Sequence, residues 1–367
     1  MPRARRRWPW LVAALALLLA GAALMLSTEP ALPPEPREVK LPTRMSAAES
    51  KREEARRTVV WLPPRDDAGV PTAAAPRPSD PLMALMPATV KRGAVVAEFN
   101  AIVHSDLGQA MLECLFGDEG GTLGMLRDAG LDPRTSLDRV AFIDGAMVVT
   151  GSFQGGGWTS LLPGQPTVSD RGPRGQVYQW SRPDAGTLSV GAWGGQLLVM
   201  GQDRAALEAT LDRLDSPGPR PPGVLTEDQA YGEVYGVLTP DALAEVVGRE
   251  DARLGETLRD AARSVNLHAD VSHDVGLVAD IEGTEPGRTE DLRRALGGAL
   301  SLGRIEAQAR GHDEEAQLLD LARVTRSEDG KFRLQAGLPY EYLSRVFKDC
   351  VARRQAGSAV AGADAGR

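Results

Sequence analysis

Residues that could bind a metal are few in this sequence. The chain has four histidines, and the densest polar group is the run His268-Ala-Asp270-Val-Ser-His273-Asp274. Histidine and carboxylate side chains bind zinc, but His268 and Asp270 fall on the polar side of a predicted strand, and His273 falls in the turn that follows. The cysteines of a structural zinc site are missing from this run. We therefore predict no metal site and no bound cofactor.

Motifs for nucleophilic or acid–base catalysis are also missing. Gly186-Thr-Leu-Ser-Val-Gly191 resembles a nucleophile elbow, but it has one residue too many before the serine and suits a strand better. The acidic groups Asp313-Glu-Glu315 and Glu250-Asp251 suit a helix start or a solvated face. We predict a protein without enzymatic activity. A hydrolytic enzyme without recognisable motifs is the least favoured alternative.

A glycine-rich segment is the best candidate for a contact surface. Gly151-Ser-Phe-Gln-Gly155-Gly156-Gly157-Trp158 lacks the lysine and hydroxyl residue of a phosphate-binding loop, and no helix is predicted after it. It opens a long irregular stretch to Gly175, and loops of that length often carry function. Trp158 could anchor a partner there, beside the free backbone of Gly155, Gly156 and Gly157. In the alternative, Trp158 packs on its own domain and the stretch is a connector.

The two cysteines, Cys114 and Cys350, lie on apolar faces of predicted helices near the two ends of the folded region. Outside the cytoplasm, an even number of cysteines permits a disulfide bond. A buried, unpaired cysteine is the alternative. The sequence leaves both open.

The N-terminus has the pattern of a membrane anchor. Arg3, Arg5, Arg6 and Arg7 precede an uncharged, Leu- and Ala-rich run from Trp8 to Ser27, which is long enough to cross a bilayer as a helix. Arginines on one side predict that this end stays in the cytoplasm. A cleaved signal peptide is the rival, but its apolar region is normally shorter. We predict a bacterial inner-membrane protein with a single span and most of its chain in the periplasm.

Charge excludes one class of partner. The formal net charge is −8, and removing the four positive charges of residues 1–27 leaves −12 on the rest. An acidic body does not suit the phosphates of nucleic acid. We therefore expect the membrane and other envelope proteins as partners, and no nucleic acid; the sequence does not identify a small-molecule ligand.

Proline- and glycine-rich segments divide the rest of the chain. We predict a disordered linker that gives the folded part a reach of roughly 40–45 Å, with a helix over Ser46–Arg57 and a strand over Thr58–Leu62 as its ordered pieces. The predicted divisions, in residue numbers, are a basic tip 1–7, an anchor 8–27, a linker 28–90, a first domain 91–215, a Pro/Gly linker 216–224, a second domain 225–354 and a disordered tail 355–367.

The fold class predicted is α+β with antiparallel sheets. Asp144-Gly145 and Asp329-Gly330 each separate two strand-like runs, which indicates tight hairpins. Alternation such as Leu267, Ala269 and Val271 against polar neighbours predicts sheets with one face on helices and one in water. Ala94 to Val103 is predicted to be a strand. Both halves follow a similar order of strand, two helices and hairpin, which indicates an internal duplication.

These features favour a non-enzymatic, membrane-anchored periplasmic component, such as a subunit or adaptor of a trans-envelope assembly for transport, motility or secretion. The alternative is a periplasmic ligand-binding module that uses the 151–175 loop as its contact.

Overall fold

The computed structural model describes residues 39–57, 59–60, 78–116, 132–153, 157–161, 164–171, 175–182, 186–215, 223–249, 251–326 and 331–364. The predicted anchor over 8–27 lies outside them. Within these ranges, no helix is long and apolar enough to cross a membrane. The chain divides into a central unit, residues 43–237, and a C-terminal unit, whose described residues are 39–42, 238–249, 251–326 and 331–364.

The helices and strands of the described residues alternate in an α+β arrangement. The helices are α1 Ala47–Arg57, α2 Pro81–Leu85, α3 Phe99–Val103, α4 Asp106–Phe116, α5 Pro133–Ser136, α6 Arg204–Asp215, α7 Pro240–Val247, α8 Ala252–Ala261, α9 Pro286–Ala309, α10 Asp313–Asp320 and α11 Tyr340–Asp364. The strands are β1 Val59–Val60, β2 Pro78–Ser79, β3 Gly93–Ala97, β4 Leu137–Ile143, β5 Ala146–Gly151, β6 Thr167–Asp170, β7 Gly175–Arg182, β8 Gly186–Trp193, β9 Leu197–Gly201, β10 Val234–Leu238, β11 Ala262–Asp270, β12 Val275–Gly283, β13 Arg323–Arg326 and β14 Phe332–Leu338.

Tight turns set the register of the central unit's sheet, whose strand order is β10-β3-β4-β5-β9-β8-β7-β6. Asp144 and Gly145 have φ values of 50° and 93° and join β4 to β5, as the sequence predicts for a two-residue hairpin. Gly194 and Gly195, with φ of 59° and 66°, make the corresponding turn between β8 and β9. From β3 to β6 every neighbouring pair is antiparallel.

Alternation along these strands buries side chains on both faces of the central sheet. One face packs on α2 and α6, and its cluster contains Val148, Val177 and Val199. Their strand neighbours Val149 and Leu198 belong to a separate aromatic cluster with Trp180. Both faces are therefore apolar, as expected for a sheet covered on each side.

The C-terminal unit has the strand order β13-β14-β12-β11, with every pair antiparallel. Leu258, Ile281, Leu292 and Phe332 form its core, so α8 and α9 cover one face of the sheet. Helix α7 is capped by Thr239, which accepts a hydrogen bond from the Ala242 amide, and Pro240 occupies the first turn.

Several elements differ from the prediction. The run Ala94 to Val103 is strand only to Ala97 and then becomes helix α3, because a short apolar run fits either structure and burial of Ile102 and Val103 decides for helix. His268 was predicted on a solvated face, but it is 2% exposed, since β11 is covered on both faces there. The predicted 151–175 loop contains β6, an edge strand.

The chain's divisions also differ from those predicted. The second unit begins at Leu238, after β10, while the predicted Pro/Gly linker 216–224 falls mostly outside the described residues. Much of the predicted linker 28–90 is ordered. Helix α1 and strand β1 form where the sequence indicated them, and residues 78–90 contribute β2 and α2 to the central unit. The second half follows the predicted order of strand, two helices and hairpin, but in the first half three helices lie between β3 and β4, and the duplication itself stays a prediction.

Candidate functional site

The sequence-predicted contact residue Trp158 is buried. It lies in the one-turn 3-10 helix Gly157–Leu161 and is only 6% exposed. Its ring meets Tyr178 edge-on at 4.9 Å between centroids and Trp180 at 6.4 Å. Gly155 and Gly156 lie outside the described residues. Trp158 therefore packs on its own domain, which is the alternative named above, and it is not an accessible anchor in this conformation.

Two buried ion pairs lie among the described residues of the central unit, and no sequence motif marks them. The Arg139 guanidinium donates to both carboxylate oxygens of Asp80, at 2.6 and 2.7 Å. Asp80 also caps α2 by accepting the Leu82 amide at 2.9 Å. Burial opposes the charge of Arg139, but the hydrogen bonds and charge of Asp80 outweigh it and raise the pKa of Arg139. The pair ties α2 to β4.

The second pair ties α1 to the sheet. Arg57 Nη2 lies 2.6 Å from Glu98 Oε1, and the Tyr235 hydroxyl donates to the same oxygen at 2.7 Å. Burial and the nearby Glu98 charge raise the pKa of Tyr235, so its hydroxyl stays protonated and able to donate. The Arg57 guanidinium also stacks over the Tyr235 ring, 5.8 Å from its centroid.

The cavity beside these pairs is small. Its volume is about 10 Å³, which is space for about one water molecule. Its lining residues come from the elements that the ion pairs join: Met45, Ser50, Glu53, Arg57, Asp80, Met83, Glu227 and Ala230. A metabolite would not fit. The buried charges hold α1 and α2 in place, and they do not form a ligand site.

The exposed side of α9 is the strongest candidate for a contact surface. Leu302 is 68% exposed and Ile305 57% exposed, which is unusual for large apolar side chains. With the exposed Ala295 and Ala299 they recur every three or four residues and so share one side of the helix. We call these four residues the apolar face of α9. Leu292, on the adjoining side of the helix, is buried within its own unit.

Glycines on this helix support a close contact. Gly297 and Gly298 lie in the middle of α9, and a Cβ added to either would meet nothing within 4 Å. Glycine in a helix interior costs about 1 kcal/mol relative to alanine, and packing within the C-terminal unit does not require it here. Gly298 lies beside Ala299 and Leu302 on the exposed side. A missing side chain there would let a partner's backbone approach closely.

The residues around this face are charged, but the arginines among them pair with carboxylates of the same unit. Arg294 donates to Glu290 at 3.2 Å and to Asp291 at 3.4 Å, and Arg304 donates to Asp320 at 2.7 Å. An apolar centre with a polar rim is the usual composition of a protein interface. Helical periodicity alone does not tell which apolar side of α9 remains uncovered.

The remaining predicted residues are less informative about function. Both Cys114 and Cys350 are disulfide-bonded, and neither is free. Within the described ranges, no group of three or more His, Cys, Asp or Glu side chains could hold a metal ion. His268 lies in β11, and His273 stacks on Tyr340 with ring centroids 5.1 Å apart.

Comparison with known proteins does not identify a family. No family model matches the chain, and no curated protein matches it. Among solved structures, crystal form I of TP0453 matches with 9% sequence identity and a TM-score of 0.39, over 73% of this chain and 97% of that chain. A likeness at this level carries no weight for fold or function.

Proposed function

We propose that this chain is a non-enzymatic, inner-membrane-anchored component of the periplasm, acting as a subunit or adaptor of a trans-envelope assembly. It contacts its partner protein through the apolar face of α9. The observation that carries the contact is the exposure of Leu302 and Ile305 beside a glycine pair that internal packing does not require.

Two further features support the location. The arginines before the apolar run Trp8 to Ser27 favour a cytoplasmic N-terminus and an external body. Disulfide bonding of Cys114 and Cys350 suits an oxidising compartment, and the periplasm is one. Transport, motility and secretion assemblies all use anchored parts of this kind, and the sequence does not choose between them.

The contact is tested by changing the apolar face without changing the rest of α9. In the variant Leu302→Asp/Ile305→Asp, two charges enter the centre of the face. The matched control Gln109→Asp/Gln202→Asp adds the same charge at exposed positions of the central unit, outside α9. Full-length protein is purified from detergent-solubilised membranes, and stoichiometric partners are quantified by mass spectrometry.

We expect the face variant to lose its partner by at least about tenfold, because burying two unpaired carboxylates costs more than the 1.4 kcal/mol that a tenfold change represents. The control should keep the partner. Both variants should melt close to wild type, since exposed substitutions change stability by about 0.5 kcal/mol or less. Equal recovery with all three proteins would overturn the contact. A ligand-induced rise in melting temperature without any partner would favour a binding module instead.

A further inference from the structure

A short segment before the central unit lies in a groove of the C-terminal unit. Residues 39–42 belong to that unit although some 200 residues separate them from the rest of it along the chain. Pro42 is buried and Val39 and Leu41 are half-buried, while Lys40 is exposed. The segment has no strand or helix structure, so its position depends on side-chain and backbone packing.

Two glycines form the floor of this groove. Gly276 in β12 and Gly337 in β14 are direct partners across the two strands, and both are buried. A Cβ on Gly276 would lie 2.2 Å from the Lys40 carbonyl oxygen, and one on Gly337 would lie 2.9 Å from Val39 Cβ. A Cβ atom essentially never approaches a non-bonded atom this closely, so alanine at either position would displace the segment.

Backbone conformation does not explain these glycines. Neither Gly276 nor Gly337 is among the glycines with positive φ in the described chain, so other residues could adopt their conformations. Glycine within a strand costs stability and often marks a close approach of another backbone. Here the approaching backbone is that of residues 39–42.

We propose that the groove over Gly276 and Gly337 is a binding site for the segment just after the membrane anchor, and that its occupancy holds the C-terminal unit at the bilayer surface. The inference rests on the anchor in the proposed function. With residues 39–42 docked, residues 28–38 alone join this unit to the predicted span. Eleven residues extend to at most about 40 Å and as a flexible chain average roughly 17–20 Å. Release of residues 39–42 would lengthen the free chain only to residue 46, before α1, and residues 28–46 as a flexible chain would average roughly 22–26 Å.

Proteolysis at Lys40 tests the docking directly. Lys40 is the first lysine of the chain, so a lysine-specific protease that cuts after it releases a fragment beginning at Leu41 from the membrane. Full-length protein is reconstituted into vesicles of phosphatidylethanolamine and phosphatidylglycerol and digested. The fragment in the supernatant is measured over time by mass spectrometry. The proteins compared are wild type, Gly276→Ala, Gly337→Ala and the control Gly298→Ala, whose added Cβ meets nothing.

We expect release to be at least about tenfold faster with Gly276→Ala and Gly337→Ala than with wild type or Gly298→Ala, because cleavage follows the fraction of time the segment is undocked. Cleavage after Lys348, within α11, is measured in the same digest. If it rises in parallel, the unit has unfolded and the docking proposal fails. Equal rates at Lys40 in all four proteins would also overturn it.

Failure of the anchor gives a different result. If the untreated protein floats free of the vesicles, the proposed membrane attachment is wrong. The rate of cutting after Lys40 still reports whether the groove binds the segment, because that rate can be measured in solution.

Discussion

Trp158 fills the space between Tyr178 and Trp180, which themselves stack with ring centroids 5.9 Å apart. Val149, Phe153, Val190 and Leu198 belong to the same buried cluster. An aromatic ring in such a position contributes through its buried area and through edge-to-face contact with its neighbours. Removing it would leave a cavity that the rigid sheet cannot close.

The substitution Trp158→Ala should therefore lower the free energy of unfolding by about 3–5 kcal/mol, measured by chemical denaturation. Val168→Ala is the control, because Val168 is 50% exposed and should change stability by about 0.5 kcal/mol or less. An unchanged stability for Trp158→Ala, with weaker partner recovery, would restore the contact role that the loop sequence indicated.

The burial and the pairing of individual residues could be predicted only in part from the sequence. Trp180 and Trp193 lie on β7 and β8, where aromatic residues are common, and both are buried. Asp80 and Arg139 are 59 positions apart, and nothing local marks them as partners. Trp158 follows three glycines, which suggested freedom, although its ring packs against strands that come later in the chain. Pairing across distant segments depends on the tertiary fold, and sequence spacing does not encode it.

At the scale of elements, Glu290 joins helix α9 to strand β13. Its carboxylate accepts hydrogen bonds from Arg293 at 2.7 and 2.9 Å, and from Arg326 in β13 at 3.3 Å. These bonds, led by that from Arg293, lower the pKa of Glu290 from its ordinary 4.5 to about 2. The ionised form is therefore favoured in the folded state relative to the unfolded chain.

This shift predicts a pH dependence with a definite sign. A lowered folded-state pKa stabilises the fold fully above about pH 4.5, and the contribution disappears as the pH falls towards 2. Glu290→Gln should thus melt below wild type at pH 7, and the difference should shrink between pH 4.5 and 2.5. Melting curves at several pH values test this, with the neighbouring exposed Asp291→Asn as control. A difference that stays constant with pH would contradict the ionic origin.

Elements were predicted best where a local signal marks them. The Asp144-Gly145 turn and the helix predicted over Ser46–Arg57 have local causes, and both are present. Strand β6 was missed, because it is short, lies at a sheet edge and sits within a glycine- and proline-rich stretch. The predicted end of β3 was wrong because the apolar run continues without a break from the strand into α3. Periodicity alone cannot distinguish a short strand from a short helix or a loop, because the structure also depends on which elements cover the segment.

Across the whole molecule, composition predicted a disordered linker over residues 28–90, but part of this segment is ordered in the folded structure. Proline, alanine and charged residues dominate 28–90, yet α1 is held by the Arg57–Glu98 ion pair and residues 39–42 lie over two glycines. These two segments are ordered because each contacts a buried residue far away in sequence, Glu98 for α1 and Gly276 for residues 39–42. Local composition therefore overestimates the free length of a segment whose few anchoring residues have distant partners.

The oxidation state of the cysteines links this organisation to the compartment. Both Cys114 and Cys350 are disulfide-bonded, and such bonds persist outside the cytoplasm but are rare within it. Cells producing the full chain are quenched in acid and treated with a thiol-reactive polyethylene glycol. The protein should take up no label before reduction and two labels after it. A version lacking residues 1–27 stays in the reducing cytoplasm, so both of its cysteines should be labelled without reduction.

Because the two proteins share every residue after Ser27, only the compartment differs between them. Labelling of both cysteines in the unreduced full chain would place the body in the cytoplasm, which would contradict the orientation that the N-terminal arginines predict.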